Sequence, residues 1–204
     1  MIAILDEWLA LAARLARRAI WAGGALILAS AFLIGVEVVL RKLFLVSIGG
    51  ADELSGYAFA IGTSWSLSFT LLERANVRVD ALYSRLGARL RAACDVLGLA
   101  SLAAFVGLLG WHAVQVLATS LEFSSRATTP LATPLWIPQG LWLAGFGLFL
   151  FSLTPLLLRT LGALIVGDLA TVRRLAGART IGEDAAAEIS HAAHGSVQAD
   201  AANP

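Results

Sequence analysis

Four long apolar stretches, at about residues 19–40, 54–72, 96–119 and 135–165, alternate with short polar segments along the chain. At about 1.5 Å of rise per helical residue, each is long enough to cross about 30 Å of hydrocarbon, and each holds few charges or none. The pattern predicts an all-α integral membrane protein with four transmembrane helices. Ahead of the first stretch, residues 1–18 place Leu5, Trp8, Leu9, Ala12 and Leu15 at helical spacing. Asp6, Arg14, Arg17 and Arg18 lie largely elsewhere around the helix, which predicts an N-terminal amphipathic helix in the membrane interface. Residues from about 80 to 95 repeat the signature. Asp80 can cap a helix in which Leu82, Leu86, Leu90 and Leu97 recur near one face while Arg85, Arg89 and Arg91 lie away from it. A second interfacial helix is expected there, the alternative being that these residues are the first turns of span three extended into water. Residues 166–204 form a C-terminal segment. After about residue 177 its composition, rich in Ala, Glu, Asp, His and Ser, predicts disorder.

Composition agrees with a bilayer as solvent. Of 204 residues, 58% are hydrophobic and only 14% charged, too apolar for one soluble domain with an ordinary surface. The net charge of +1 says nothing about partners, but the placement of the fifteen Lys and Arg residues does. Twelve fall in the N-terminal segment, the second loop and the C-terminal segment; only Arg41, Lys42 and Arg126 fall in the first and third loops. By the positive-inside rule both termini and the second loop are expected on the cytoplasmic side of a bacterial inner membrane. The single cysteine, Cys94, excludes an internal disulfide. Ala29-Ser30-Ala31 has the small-x-small look of a signal cleavage site, but the apolar run continues to Leu40, so an uncleaved span is expected.

The spans carry marks of helix packing. Gly56, Ala60, Ser64 and Ser68 recur every four residues and form one small-residue stripe on span two, against which another helix can pack closely. Gly23, Ala31 and Gly35 in span one, and Gly140 with Ala144 in span four, offer shorter versions. Pro138 sits near a helix start where its missing N–H costs little, whereas Pro155 lies deep enough to kink or loosen span four. Trp21, Trp65, Trp111 and Trp136 suit interfacial or packing positions.

Residues with chemical potential are sparse. His112 has no intramembrane histidine partner with which to hold a haem, since His191 and His194 lie in the C-terminal segment, and no span shows paired metal ligands at helical spacing. Ser64, Ser66 and Ser68 with His112 supply the residue types of a hydrolase, but hydroxyls in membrane helices ordinarily bond their own backbone or a neighbouring helix. No catalytic, cofactor or metal site is therefore predicted, and the chain is not expected to be an enzyme. The charges at the ends of the spans say more. Glu37 and Arg41 can pair at i, i+4 at the outer end of span one, an arrangement open to a substrate or proton pathway but more simply a self-neutralising ion pair. Asp52 and Glu53 sit where the N-terminus of span two favours negative charge. Arg78 and Asp80 bracket Val79 at the mouth of the second loop, as a turn lock, a solvated pair or a partner contact.

Four features, in this order on a four-span frame, carry a resemblance over roughly residues 20–160. Arg41 closes span one, Asp52-Glu53-Leu54-Ser55-Gly56-Tyr57 opens span two, Val77-Arg78-Val79-Asp80 follows it, and Thr133-Pro134-Leu135-Trp136-Ile137-Pro138-Gln139 opens span four. The chain thus resembles the small transmembrane subunit of tripartite ATP-independent periplasmic (TRAP) transporters, the DctQ-like family. It departs from the family pattern at Asn76, where a histidine is frequent, and at Leu143, where a second proline is frequent. The resemblance implies a non-enzymatic subunit of a secondary importer. Its partners would be a large multi-span membrane subunit that carries the substrate and sodium sites, and a periplasmic solute-binding protein that delivers an organic acid. The chain itself would scaffold the large subunit and help dock the binding protein. Two other classes stand beside this one: a membrane anchor of a redox complex, and a self-contained homo-oligomeric channel or transporter.

Overall fold

The computed structural model describes residues 2–74 and 86–177. Among these, the chain is helical throughout apart from its connections: α1 (Ile2–Phe44), α2 (Ala51–Leu72), α3 (Ala88–Glu122), α4 (Trp136–Val166) and α5 (Leu169–Ala176). The all-helical membrane architecture predicted by the apolar pattern is present. Three of the helices, α1, α3 and α4, are long and apolar enough to cross a membrane. The second of the four expected spans, α2, matches these three in length but not in apolarity. Its 22 residues rise about 33 Å, a sufficient length, but Thr63, Ser64, Ser66, Ser68 and Thr70 leave it without a stretch as continuously apolar as those of the other three.

Two expected boundaries are absent. The N-terminal amphipathic segment 1–18 does not form a helix separate from span one, because α1 runs unbroken through residues 18 and 19 for about 65 Å. No proline interrupts that stretch, and its Ala, Leu and Arg residues favour the helix. Likewise, the described part of the expected interfacial helix, residues 88–95, is the start of α3, which continues through to Glu122 after an extended Gly87. Ala88, Arg89, Leu90, Arg91, Ala92 and Ala93 are good helix formers and supply no stop signal. Residues 80–85 of that expected helix lie outside the described residues, as does the C-terminal segment from residue 178.

The hub of the bundle is α4, which packs against all four other helices, while α1 pairs along α2 and α5 lies on α3 and α4. Its buried face, which includes Phe146, Phe149, Leu153 and Leu156, meets Leu71 of α2 and Leu99, Val106 and Ala113 of α3 in the main core. On α3 the buried positions Ala92, Val96, Leu99, Val106 and Ala113 recur at spacings of four, three, seven and seven residues, so one stripe faces α4. The helix runs through Pro155 without interruption, and the Ser152 and Thr154 hydroxyls on the preceding turn donate to the carbonyls of Leu148 and Leu150 at 2.9 and 2.7 Å.

Close helix approach comes from glycines. Gly23 of α1 and Gly62 of α2 face one another so tightly that a Cβ at Gly23 would sit 3.0 Å from the Gly62 carbonyl oxygen, and one at Gly62 would sit 2.8 Å from that of Gly23. Gly145 of α4 similarly leaves room for Ser64 of α2. At the far end, Gly167 takes the left-handed conformation (φ 82°) that closes α4, and Asp168 then caps α5 by accepting the Thr171 N–H at 3.0 Å. Val172 and Ala176 of α5 are buried and Arg173 and Arg174 exposed, so this short helix is amphipathic.

Candidate functional site

The C-terminal end of α1, the N-terminus of α2, the C-terminal end of α3 and the N-terminus of α4 meet at one end of the bundle, joined by two loops. Two carboxylates organise it. Glu37, one turn before the last of α1, is 3% exposed and accepts four hydrogen bonds. Arg41 donates to its Oε1 from Nη2 at 2.6 Å and from Nε at 3.2 Å, Ser47 Oγ donates to the same oxygen at 2.6 Å, and the Ile48 N–H donates to Oε2 at 2.8 Å. The expected pair of Glu37 with Arg41 is therefore present, and the same carboxylate also fastens the loop that leads into α2. Arg41 supplies positive charge while most of its side chain stays exposed. The Ser47 hydroxyl in turn accepts the Gly49 N–H at 3.3 Å.

Glu53 does the corresponding work for the second loop. Its Oε1 accepts the Tyr57 hydroxyl at 2.8 Å, one turn along α2, and its Oε2 accepts the Thr129 hydroxyl. The loop between α3 and α4 closes on itself. Ala127 N–H donates to the Thr133 carbonyl and Leu135 N–H to the Ser125 carbonyl, each at 3.0 Å, with Arg126 and Pro134 paired as an isolated β-bridge. The Arg126 guanidinium reaches the Ala132 carbonyl at 3.2 Å. The two loops touch where Gly50, at φ 97°, lies under Leu131, leaving no space for a side chain. Asp52 is exposed in the same first turn of α2, and its main-chain carbonyl takes the Ser55 hydroxyl at 2.9 Å. Glu53 is thus a loop anchor, while Asp52 adds negative charge to the helix N-terminus.

The stripe of Gly56, Ala60, Ser64 and Ser68 divides in two. Ser64 and Ser68 are buried against the other helices of the chain, whereas Gly56 and Ala60 are exposed, with open space where a Gly56 Cβ would lie. Ser64 bonds the Ile61 carbonyl at 2.9 Å, while the buried Ser68 hydroxyl has no partner among the described residues. Gly35 and Gly140 also face open space, so of the shorter stripes only Gly23 serves a contact within the chain. Gly62 and Gly145, which make the other close approaches, stand beside the expected positions rather than in them. His112 is exposed on α3. Arg78 and Asp80 lie outside the described residues.

At the opposite end, Asp6 of α1 pairs with Arg159 of α4 at 3.2 Å, and the Trp8 ring meets Phe151 at 5.3 Å between centroids. Arg74, just past α2, points at the carbonyls of Arg173 and Gly177 at 3.5 Å each, and Asp95 is buried in α3. Thr160 and Trp65 are satisfied on backbone carbonyls, the former on Leu156 at 2.6 Å and the latter across helices on Leu141 at 2.8 Å.

Residues 30–162 match the family model of the tripartite ATP-independent periplasmic transporters, DctQ component. The chain belongs to the DctQ family. It is accordingly one component of a transport system rather than a member of an enzyme family, and a multi-pass membrane protein. No curated protein and no solved structure gives a match. The stretch shared with the DctQ family holds both carboxylate-anchored loops and most of the hub helix, and leaves outside it the first 29 residues, the last four residues of α4, and α5.

Proposed function

We propose that this DctQ-family chain is the small membrane subunit of a TRAP transporter, scaffolding a large multi-span membrane subunit and helping to dock a periplasmic solute-binding protein during ion-gradient-driven uptake of an organic acid. The observation that carries this reading is how the surface is divided. At the loop end, Glu37 and Glu53 fix two connections into one braced platform suited to receiving a soluble partner. Along the flanks, Gly35, Gly56 and Ala60 stay open between exposed apolar side chains, which suits close approach by a helix of another subunit. In this assignment α2 is the fourth span, shielded by neighbours where it is least apolar, and both termini face the cytoplasm of a bacterial inner membrane, in accord with the arginine distribution. Solute and sodium bind the large subunit, and this chain requires no cofactor.

Purification of a tagged full-length chain from its native membranes tests the assembly. A large multi-span partner should accompany it; a homo-oligomer alone, or uptake in cells at wild-type rate with only the large subunit present, refutes the proposed role. Reporter fusions test the orientation. Alkaline phosphatase should be active at Gly49 and silent at Ser84, and the reverse pattern overturns it.

A further inference from the structure

Beyond its protein partners, the geometry points to a specific anionic-phospholipid site on α1, at the end of the bundle away from the two loops. From Trp21 to Phe44, α1 rises about 35 Å, close to the thickness of the hydrocarbon core, so Trp21 stands at the far interface and the turns before it lie among headgroups. Arg14, Arg17, Arg18 and Trp21 follow one another at i, i+3, i+4 and i+7 and therefore share a face of the helix. They also line one common surface concavity, together with Ala13. All four are exposed, and Arg17 and Arg18 make no hydrogen bond or ion pair among the described residues.

Directly beside this cluster, and sharing Arg17 and Trp21 with it, a groove of about 710 Å³ runs between α1 and α2. Its walls are Ile20, Gly24 and Phe69, with Glu73 at its polar margin. Gly24 has nothing within 4 Å of where a Cβ would lie, which keeps the groove open. The volume falls within the range of about 300–1,000 Å³ typical of small-molecule sites. A guanidinium cluster continuous with an apolar groove matches the two parts of a phospholipid. The phosphate takes the paired N–H donors of Arg17 and Arg18, and an acyl chain lies along Ile20, Gly24 and Phe69 beneath the Trp21 ring. Glu73 has a partner of its own and sets one carboxylate against three guanidinium groups, so the cluster favours a headgroup with net negative charge over a zwitterionic one.

The test titrates the full-length chain in neutral detergent with phosphatidylglycerol bearing brominated acyl chains, reading tryptophan quenching. Brominated phosphatidylcholine and inorganic phosphate serve as comparison ligands. Saturable quenching by phosphatidylglycerol is expected, weakened about fivefold by Arg17→Ala and about 25-fold by Arg17→Ala with Arg18→Ala. The single step corresponds to about 1 kcal/mol per basic residue at an anionic surface. Arg173→Ala with Arg174→Ala, which removes the same charge from exposed positions on α5, should leave the affinity unchanged. Circular dichroism confirms that the variants are folded. Equal binding of phosphatidylcholine, displacement by inorganic phosphate alone, or equal weakening by the α5 variant would each overturn the assignment.

Discussion

The contact between Gly23 and Gly62 gives the most direct test of how α1 and α2 are joined. In Gly62→Ala, the new Cβ would stand 2.8 Å from the Gly23 carbonyl oxygen and 2.8 Å from the Ile27 side chain, against an ordinary contact of 3.4–4 Å. Ile27 can rotate away, but the Gly23 carbonyl belongs to a helix backbone, so the two helices must separate by several tenths of an ångström. Forcing one extra methyl group into a packed interior costs about 1–3 kcal/mol, and a backbone obstacle favours the upper half of that range. Against this, alanine in place of glycine inside a helix gains at most about 1 kcal/mol. The net expectation is a loss of about 1–2 kcal/mol, which lowers the melting temperature by about 2–8 °C for a domain of this size. Gly24→Ala is the matched control. It lies one residue from Gly23 in the same helix and meets nothing within 4 Å, so it should hold or raise the melting temperature. Thermal unfolding of the purified variants in one detergent, followed by circular dichroism, compares them. A Gly62→Ala variant as stable as Gly24→Ala would show that the helices are not in backbone contact there.

Glu37→Ala leaves the Ser47 hydroxyl and the Ile48 N–H without their acceptor, so amide hydrogen exchange at Ile48 and Gly49 should accelerate while exchange within α3 stays unchanged; equal protection in both proteins refutes the loop-anchoring role. Glu53→Gln should speed proteolysis within 126–133, because the Thr129 bond weakens, and an unchanged cleavage rate refutes the clip. Leu153→Ala empties a fully buried position of the core and should cost about 2–5 kcal/mol, read as a lowered melting temperature; a loss below about 1 kcal/mol would place Leu153 at the surface. Asp168 accepts the Thr171 side-chain and backbone hydrogen bonds, which hold its carboxyl below the ordinary value of 3.8. Its capping contribution is therefore complete above that value and lost as pH falls through the lower folded-state pKa, so the Thr171 amide resonance should titrate with a midpoint under 3.8, and a midpoint at or above it removes the cap.

Much of the fold was legible because hydrophobic runs report burial in lipid, and α1, α3 and α4 follow those runs closely. What the pattern could not give was where one helix ends. Amphipathic turns before a span look like a separate surface helix, yet at residues 18–19 and 95–96 nothing in the sequence breaks the backbone ladder, and propensity carries the helix through. At α2 the ambiguity lies in apolarity and not in a helix boundary. Its serines and threonines lower its apolarity without costing it the helix, since Ser64, Ser66 and Thr70 return their hydroxyls to carbonyls of the preceding turn.

The site was legible only in part, for a reason that lies in the chemistry of short-range signals. Glu37 and Arg41 stand one turn apart on a single helix, so their pairing could be read from spacing alone. The partners that make Glu37 an anchor, Ser47 and Ile48, lie beyond the end of that helix, and Thr129 reaches Glu53 from more than seventy residues away. No periodicity encodes such contacts; they exist because α4 brings α3 and α2 to the same end of the bundle. Small-residue stripes have the complementary ambiguity. Spacing identifies a face that permits close approach but not what approaches it, so Gly23 and Ser64 serve contacts within the chain while Gly56 and Gly35 remain open. The open positions thereby become a discriminating probe. Gly56→Leu should leave the melting temperature of the isolated subunit unchanged, since the new side chain enters free space, and should reduce co-purification of the large subunit if that subunit's helix lies there. Full recovery of the complex would move the interface elsewhere on the bundle, while a destabilised isolated chain would mean that α2 is already covered at this turn by its own fold.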